Sequence, residues 1–254
     1  MTNLRITLVQ SHLFWDNPVK NRVQLEAKLI DIPQTDLIIL PELFNTAFSL
    51  ANAGETMNGE TINWMSNLAY EKDSMIIGSL IINENDKKYN RLICMNPDGS
   101  HQHYDKCHLF GMMNESTYFT AGKKRLVIDF KGWKLCPLIC YDLRFPVFSR
   151  NNVNFDLLIY VANWPINRID HWKKLILARA IENQCFVAGV NRVGVDINGV
   201  EYNGNSLLVD YNGIIMHQGT ENEQVNTLTI NKNNLKNGRI RLPFLKDIDS
   251  YTIN

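Results

Sequence analysis

Hydrophobic positions come in short runs broken by polar turns, and the period of each run predicts its element. Leu4, Ile6 and Leu8 alternate with Arg5 and Thr7, which is the two-residue period of a strand over residues 4–9. Asn17 and Pro18 read as an N-cap and a first helical position. Val23, Leu25, Ala27, Leu29 and Ile30 then give the following helix an apolar side. Residues 36–40 form an apolar strand ended by Pro41, a pattern that suits a sheet covered on both faces. Ile62, Met65, Leu68 and Ala69 recur at helical spacing within residues 59–72, and residues 74–82 are again an apolar strand.

Residues 90–96 and 100–105 flank Pro97-Asp98-Gly99, a hairpin pattern, and residues 126–129 and 134–139 flank Lys131-Gly132 in the same way. A short helix is predicted over 145–151, with Pro146 in its first turn, and a buried strand over 156–162. The strongest helical pattern is 169–183, where Trp172, Leu175, Ile176, Arg179, Ala180 and Asn183 share one broad side. Strands are predicted over 185–191, 201–210, 214–218 and 226–230, with Tyr211-Asn212-Gly213 as a turn. The order β-α-β-α-β-β-β, repeated, predicts an α/β layered fold of two sheets covered by helices. No linker or low-complexity tract divides residues 1–254, so one domain is expected. From about residue 235 the chain is polar and irregular apart from Leu242-Pro-Phe-Leu245, either a docking arm or a surface tail.

Composition narrows the function classes. The chain has 254 residues, 45% hydrophobic and 20% charged, with a formal net charge of +0. That balance offers no basic field for nucleic acid and no polybasic patch for a membrane. No apolar run reaches membrane-spanning length. The cysteines are Cys94, Cys107, Cys136, Cys140 and Cys185; their number is odd and no CxxC or Cys/His zinc spacing occurs. With no signal-peptide pattern at the start, the reading is a reduced, cytoplasmic protein.

Candidate chemistry lies just past the strand ends, where sites assemble in open α/β sheets. Cys140 ends the apolar run 134–139, Glu42 follows Pro41, Lys106 follows the strand ending at Asp105, and Asn163-Trp164 follow 157–162. Taken singly, Cys140 reads as a core thiol, Glu42 as a solvated loop carboxylate and Lys106 as surface charge. Glu115 reads as a turn carboxylate, and Arg144 as a brace to Asp142. Together, a thiol, a carboxylate and an ammonium suffice for amide hydrolysis. The thiol attacks the carbonyl, the carboxylate takes its proton and later activates water, and the ammonium steadies the oxyanion. Cys136, four residues before Cys140, reads as packing deeper in the sheet.

Three blocks resemble the signature blocks of the nitrilase (carbon–nitrogen hydrolase) superfamily: Leu40-Pro-Glu-Leu43, Tyr104-Asp-Lys-Cys-His-Leu-Phe110 and Ile139-Cys-Tyr-Asp-Leu-Arg-Phe-Pro146. Val161-Ala-Asn-Trp-Pro165, His171-Trp172 and the stretch from Ala178 to Gly194 are similar to the bacterial ω-amidase (2-oxoglutaramate amidase) branch. The resemblance implies a four-layer α-β-β-α sandwich, usually dimerised through its helices. It implies Glu42 as general base, Lys106 as oxyanion stabiliser, Cys140 as nucleophile and Glu115 as the second glutamate. It adds the Tyr141 backbone N–H to the oxyanion hole and implies no metal or organic cofactor. The loop Gly111-Met-Met-Asn114 and Ser116 depart from the usual pattern beside the site.

The expected activity is release of ammonia from a small ω-amide such as 2-oxoglutaramate through a thioester. The alternatives are a linear amide, an N-carbamoyl compound, a nitrile, or a non-catalytic binding protein. A substrate carboxylate calls for a cation: Arg144 first, then Arg168, with Arg179 and Arg192 weaker candidates. Asn163, Trp164, Phe44, Phe110 and Tyr118 are the candidate pocket walls.

Overall fold

The computed structural model describes residues 2–252. Its first sheet has the order β14-β1-β2-β3-β4-β5. These strands are β1 (Asn3–Gln10), β2 (Leu37–Ile39), β3 (Met75–Glu84), β4 (Lys87–Met95), β5 (His101–Asp105) and β14 (Gln224–Asn231). The helices α1 (Pro18–Leu29) and α2 (Glu60–Lys72) connect β1, β2 and β3, which run parallel. The second sheet has the order β13-β12-β9-β8-β7-β6. Its strands are β6 (Ile128–Phe130), β7 (Trp133–Ile139), β8 (Leu157–Ala162), β9 (Phe186–Asn191), β12 (Leu207–Val209) and β13 (Ile215–Gln218). Here β7, β8 and β9 run parallel, and α4 (Ile169–Asn183) crosses from β8 to β9. The short helix α3 (Glu115–Tyr118), the hairpin of β10 (Val193–Val195) and β11 (Glu201–Asn203), and α5 (Lys232–Arg241) complete the fold.

Side-chain alternation assigns the layers. Leu37 and Ile39 point into the core between the sheets, with Leu4, Ile6, Leu8, Met75 and Ile77. Ile38, Leu40 and Ile76 point the other way, against Leu25 and Leu29 of α1 and Met65 and Leu68 of α2. On the far side α4 lies on β9 and β12, so close that a Cβ on Gly189 would sit 2.7 Å from Trp172. The result is the expected α-β-β-α sandwich.

Four expectations change. Residues 145–151 form no helix. The 3-10 turn Cys140–Arg144 comes first, and then the Phe145 C=O accepts from the Ser149 N–H at 3.1 Å and the Val147 C=O from the Arg150 N–H at 3.3 Å, a pair of turns and no continuous helix. Pro146 supplies no N–H to extend the turn. Residues 201–210 are two strands, β11 and β12, because Gly204 and Asn205 turn the chain through positive φ (63° and 57°) between two sheets. Strand β14 leaves the second half of the chain and pairs antiparallel with β1 along its full length. The polar segment after 231 begins as helix α5: the Asn231 side chain caps it by accepting from the N–H groups of Asn233 and Asn234. Lys232 and Arg239 pair with Asp156, and Leu235 enters the core. The last two residues of the predicted tail lie outside the described residues.

Candidate active site

The ends of β2, β5, β7 and β8 converge, and each delivers one group. Beyond β2, Glu42 is fully buried; Leu43 (φ 45°) and Ala47 (φ 55°) then curl the chain back tightly. Beyond β5, Lys106 is 1% exposed, its N–H bonded to the Asn90 carbonyl at 3.0 Å. Glu115, the first residue of α3, is fully buried too. Beyond β7, Cys140 adopts φ 42°, a left-handed conformation that costs a non-glycine residue about 1–3 kcal/mol. That turn aims the thiol away from the line of the strand and toward the other three groups.

The polar contacts are dense. Lys106 Nζ donates to Glu42 Oε1 at 2.9 Å and to Glu115 Oε1 and Oε2 at 3.0 and 2.9 Å. Asn90 Nδ2 donates to Glu42 Oε1 at 2.9 Å and Glu115 Oε1 at 3.3 Å. The Asn163 backbone N–H donates to Glu42 Oε2 at 2.9 Å, and its side-chain amide to the Glu42 carbonyl at 2.8 Å. Cys140 Sγ lies 4.0 Å from the Asn163 carbonyl. Burial, and then the Glu42 carboxylate, push the Cys140 thiol well above its ordinary pKa against the pull of Lys106. At rest the group is therefore a thiol, which would need a base to act as a nucleophile. Burial opposes the charge on Lys106, but Glu115 and Glu42 outweigh it and hold the ammonium protonated.

The turn carrying Cys140 is braced from beneath. The carboxylate of Asp142 is fully buried and accepts from the Ile139 N–H (2.9 Å), Tyr104 Oη (2.8 Å) and the His108 N–H (3.2 Å), and pairs with His108 Nδ1 (2.7 Å). Asp142 thus faces inward and does not pair with Arg144. The first N–H groups of a helical turn have no partner within it, and that of Tyr141 belongs to this first turn.

Above the thiol is a cavity of about 180 Å³. That is below the roughly 300–1,000 Å³ of drug-sized ligand sites, so it suits a small molecule. Cys140, Lys106, Tyr141 and Asn163 form its floor. Arg144, Arg168, Trp164 and Phe110 line it as expected. Arg144 stacks on Trp164 (4.8 Å) and reaches His171 Nδ1 (3.1 Å), while Arg168 lies over Phe110 (5.4 Å). Neither arginine is paired with a carboxylate among the described residues, and no Asp or Glu lines the cavity.

Several candidates lie elsewhere. Phe44 is fully buried against Trp64 of α2, because the curl after Glu42 turns it to the helix layer; Phe48 faces the cavity instead. Tyr118 is half-exposed and outside the lining. Arg179 is bound to the Leu143 carbonyl and Glu182, and Arg192 to the Leu13 carbonyl. Cys136 is buried in the core. The wall also includes Met112, Met113, Val200 and Tyr202. The two methionines stood in the atypical loop; nothing in the pattern of residues 193–203 marked the hairpin as a wall. No group of three or more His, Cys, Asp or Glu among the described residues is arranged to hold a metal ion.

The carbon–nitrogen hydrolase family model matches residues 6–239. This chain belongs to that family. It is 42% identical to the omega-amidase YafV of Yersinia enterocolitica over 100% of both chains. It is 32% identical to the 2-oxoglutaramate amidase of Bacillus subtilis over 96% of each. The crystal structure of a CN-hydrolase superfamily protein from Xanthomonas campestris, with an arsenic adduct in its active site, is 44% identical and covers 100% of both chains, with a TM-score of 0.98. As a carbon–nitrogen hydrolase the chain is an enzyme, and its site is to be read as one that cleaves C–N bonds.

Proposed function

We propose that this carbon–nitrogen hydrolase is an ω-amidase that converts a small dicarboxylic monoamide, such as 2-oxoglutaramate, to the acid and ammonia. One observation carries the reading: the buried Glu42, Lys106 and Glu115 meet the part-buried Cys140 beneath a small cavity whose wall holds Arg144 and Arg168 and no carboxylate. A substrate carboxylate finds a cation there, with Arg144 the first partner. The ammonium of an amino acid such as glutamine finds no anion. Relatives named omega-amidase and 2-oxoglutaramate amidase support the same substrate class.

The steps follow from the geometry. Glu42 accepts the Cys140 proton as Sγ attacks the amide carbon, and Lys106 Nζ with the Tyr141 N–H stabilises the oxyanion. Collapse breaks the C–N bond, and the nitrogen leaves as ammonia with the proton from Glu42, leaving a thioester. Glu42 then takes a proton from water, the hydroxide attacks the thioester, and the acid departs as the thiol is restored. Asn163 holds Glu42 throughout, so its part is positioning the base.

A homodimer accords with the exposed apolar side chains Ile181, Ile240 and Phe244 on and around α4 and α5, and light scattering checks it. A reducing cytoplasm accords with five unpaired thiols, one of which must stay reduced to act. The activity test is ammonia release from 2-oxoglutaramate, succinamate, glutamine, a simple nitrile and an N-carbamoyl amino acid. The first two are expected to be turned over fastest, and Cys140→Ala is expected to fold and release none. A preference for the nitrile or carbamoyl compound would overturn the substrate class, and turnover by Cys140→Ala the nucleophile.

A further inference from the structure

At rest Lys106 has no N–H to spare. Its three donors meet three carboxylate oxygens: Glu42 Oε1 and both oxygens of Glu115, all within 3.0 Å. The proposed reaction asks the same ammonium to stabilise an oxyanion, so one of those bonds must be given up as the oxyanion forms. A buried carboxylate oxygen stripped of its donor is costly, and that cost would fall on the transition state.

Asn90 answers this demand. It lies on β4, is 1% exposed, and its Nδ2 touches the two oxygens, Glu42 Oε1 and Glu115 Oε1, that share Lys106. The orientation of the amide is fixed by charge, because a flipped Oδ1 would face two carboxylates. Glu115 Oε2 has its own second donor, the Phe110 N–H. Every oxygen bound to Lys106 therefore has another donor in place, and Asn90 serves two of the three. The Asn90 carbonyl also accepts the Lys106 N–H at 3.0 Å, so one residue holds both the lysine backbone and the lysine's partners.

We propose that Asn90 is a positioning residue for catalysis: its side-chain amide keeps the Glu42 and Glu115 oxygens bonded while Lys106 turns a donor to the oxyanion. The idea rests on the amidase mechanism above. It moves no electrons and breaks no covalent bond; one N–H of Lys106 changes acceptor.

The test compares wild type, Asn90→Ala and Asn90→Ser in ammonia release across pH, with folding followed by circular dichroism and thermal melting. Loss of the donor is expected to lower kcat by roughly tenfold or more, with KM changed far less. The acidic limb of the kcat/KM profile is expected to move to higher pH, because a carboxylate that loses a donor holds its proton longer. Asn90→Ser, with a short O–H donor, should lie between the other two. Melting is followed at each pH, and the limb is read only where the variant is folded, because folding itself depends on pH. Wild-type kcat and an unmoved limb in folded Asn90→Ala would overturn the proposal. So would loss of the fold in both variants, which would make Asn90 a determinant of folding and not of turnover. A wild-type enzyme that releases no ammonia from any amide would instead sink the functional reading.

Discussion

Replacing Glu42 by glutamine separates two things that usually fall together, nucleophile ionisation and turnover. Glutamine fills the same volume, but one end of its amide carries only donors. Glu42 Oε1 receives Lys106 and Asn90, so the amide oxygen will face them and the NH2 will face the Asn163 backbone N–H. That N–H loses its acceptor, at a cost in stability of about 1–3 kcal/mol. Without the general base, ammonia release should fall by at least ~10²-fold. The thiol should move the opposite way. Burial first and Glu42 next hold Cys140 up, and the variant removes the second while keeping Lys106. The midpoint of iodoacetamide alkylation against pH should therefore drop, because one close negative charge is gone. The other thiols do not confuse the readout, because burial raises them all: Cys107 and Cys136 to about 12, and Cys94 and Cys185 further. Peptide mass spectrometry identifies the alkylated residue. A midpoint that stays or rises, or ammonia release near the wild-type rate, would refute the assignment of Glu42 as base. General damage that exposed the thiol would also lower the midpoint, because burial is the larger cause holding it up, so the comparison is made on a variant whose circular dichroism and thermal melt match wild type.

Two other expectations follow from named contacts. Arg144→Met should raise KM for 2-oxoglutaramate and succinamate by roughly tenfold or more, the scale of a charge-assisted hydrogen bond, and leave a neutral amide such as propionamide nearly unchanged; equal effects on both would remove Arg144 from carboxylate recognition. Gly122→Ala should destabilise by about 1–3 kcal/mol in a denaturant melt and lower kcat, because its Cβ would sit 2.0 Å from the Asp105 carbonyl oxygen and push on the segment that carries Lys106; an unchanged melt would show that this loop yields freely.

What the amino-acid order determined by itself was local and chemical. Two-residue and helical periods marked most of the long strands and α1, α2 and α4, because each must bury one face or both. Glu42 and Cys140 were legible because each stands just past an apolar run, Lys106 because it follows a hairpin strand, and Glu115 through the family resemblance. What the tertiary structure decided was non-local. Strand β14 pairs with β1 from the far end of the chain, and no local pattern names a partner so distant. The polar α5 is held by its Asn231 cap and by Asp156, contacts that hydropathy does not register. Phe48 replaced Phe44 at the cavity because positive φ at Leu43 and Ala47 sets which aromatic turns inward. Cys140 alone was a core thiol. The case for it as a nucleophile comes from the ends of β2 and β5 and from α3, far apart in sequence, which place a carboxylate, an ammonium and a second carboxylate around it, and only the packing of two sheets could bring those groups together.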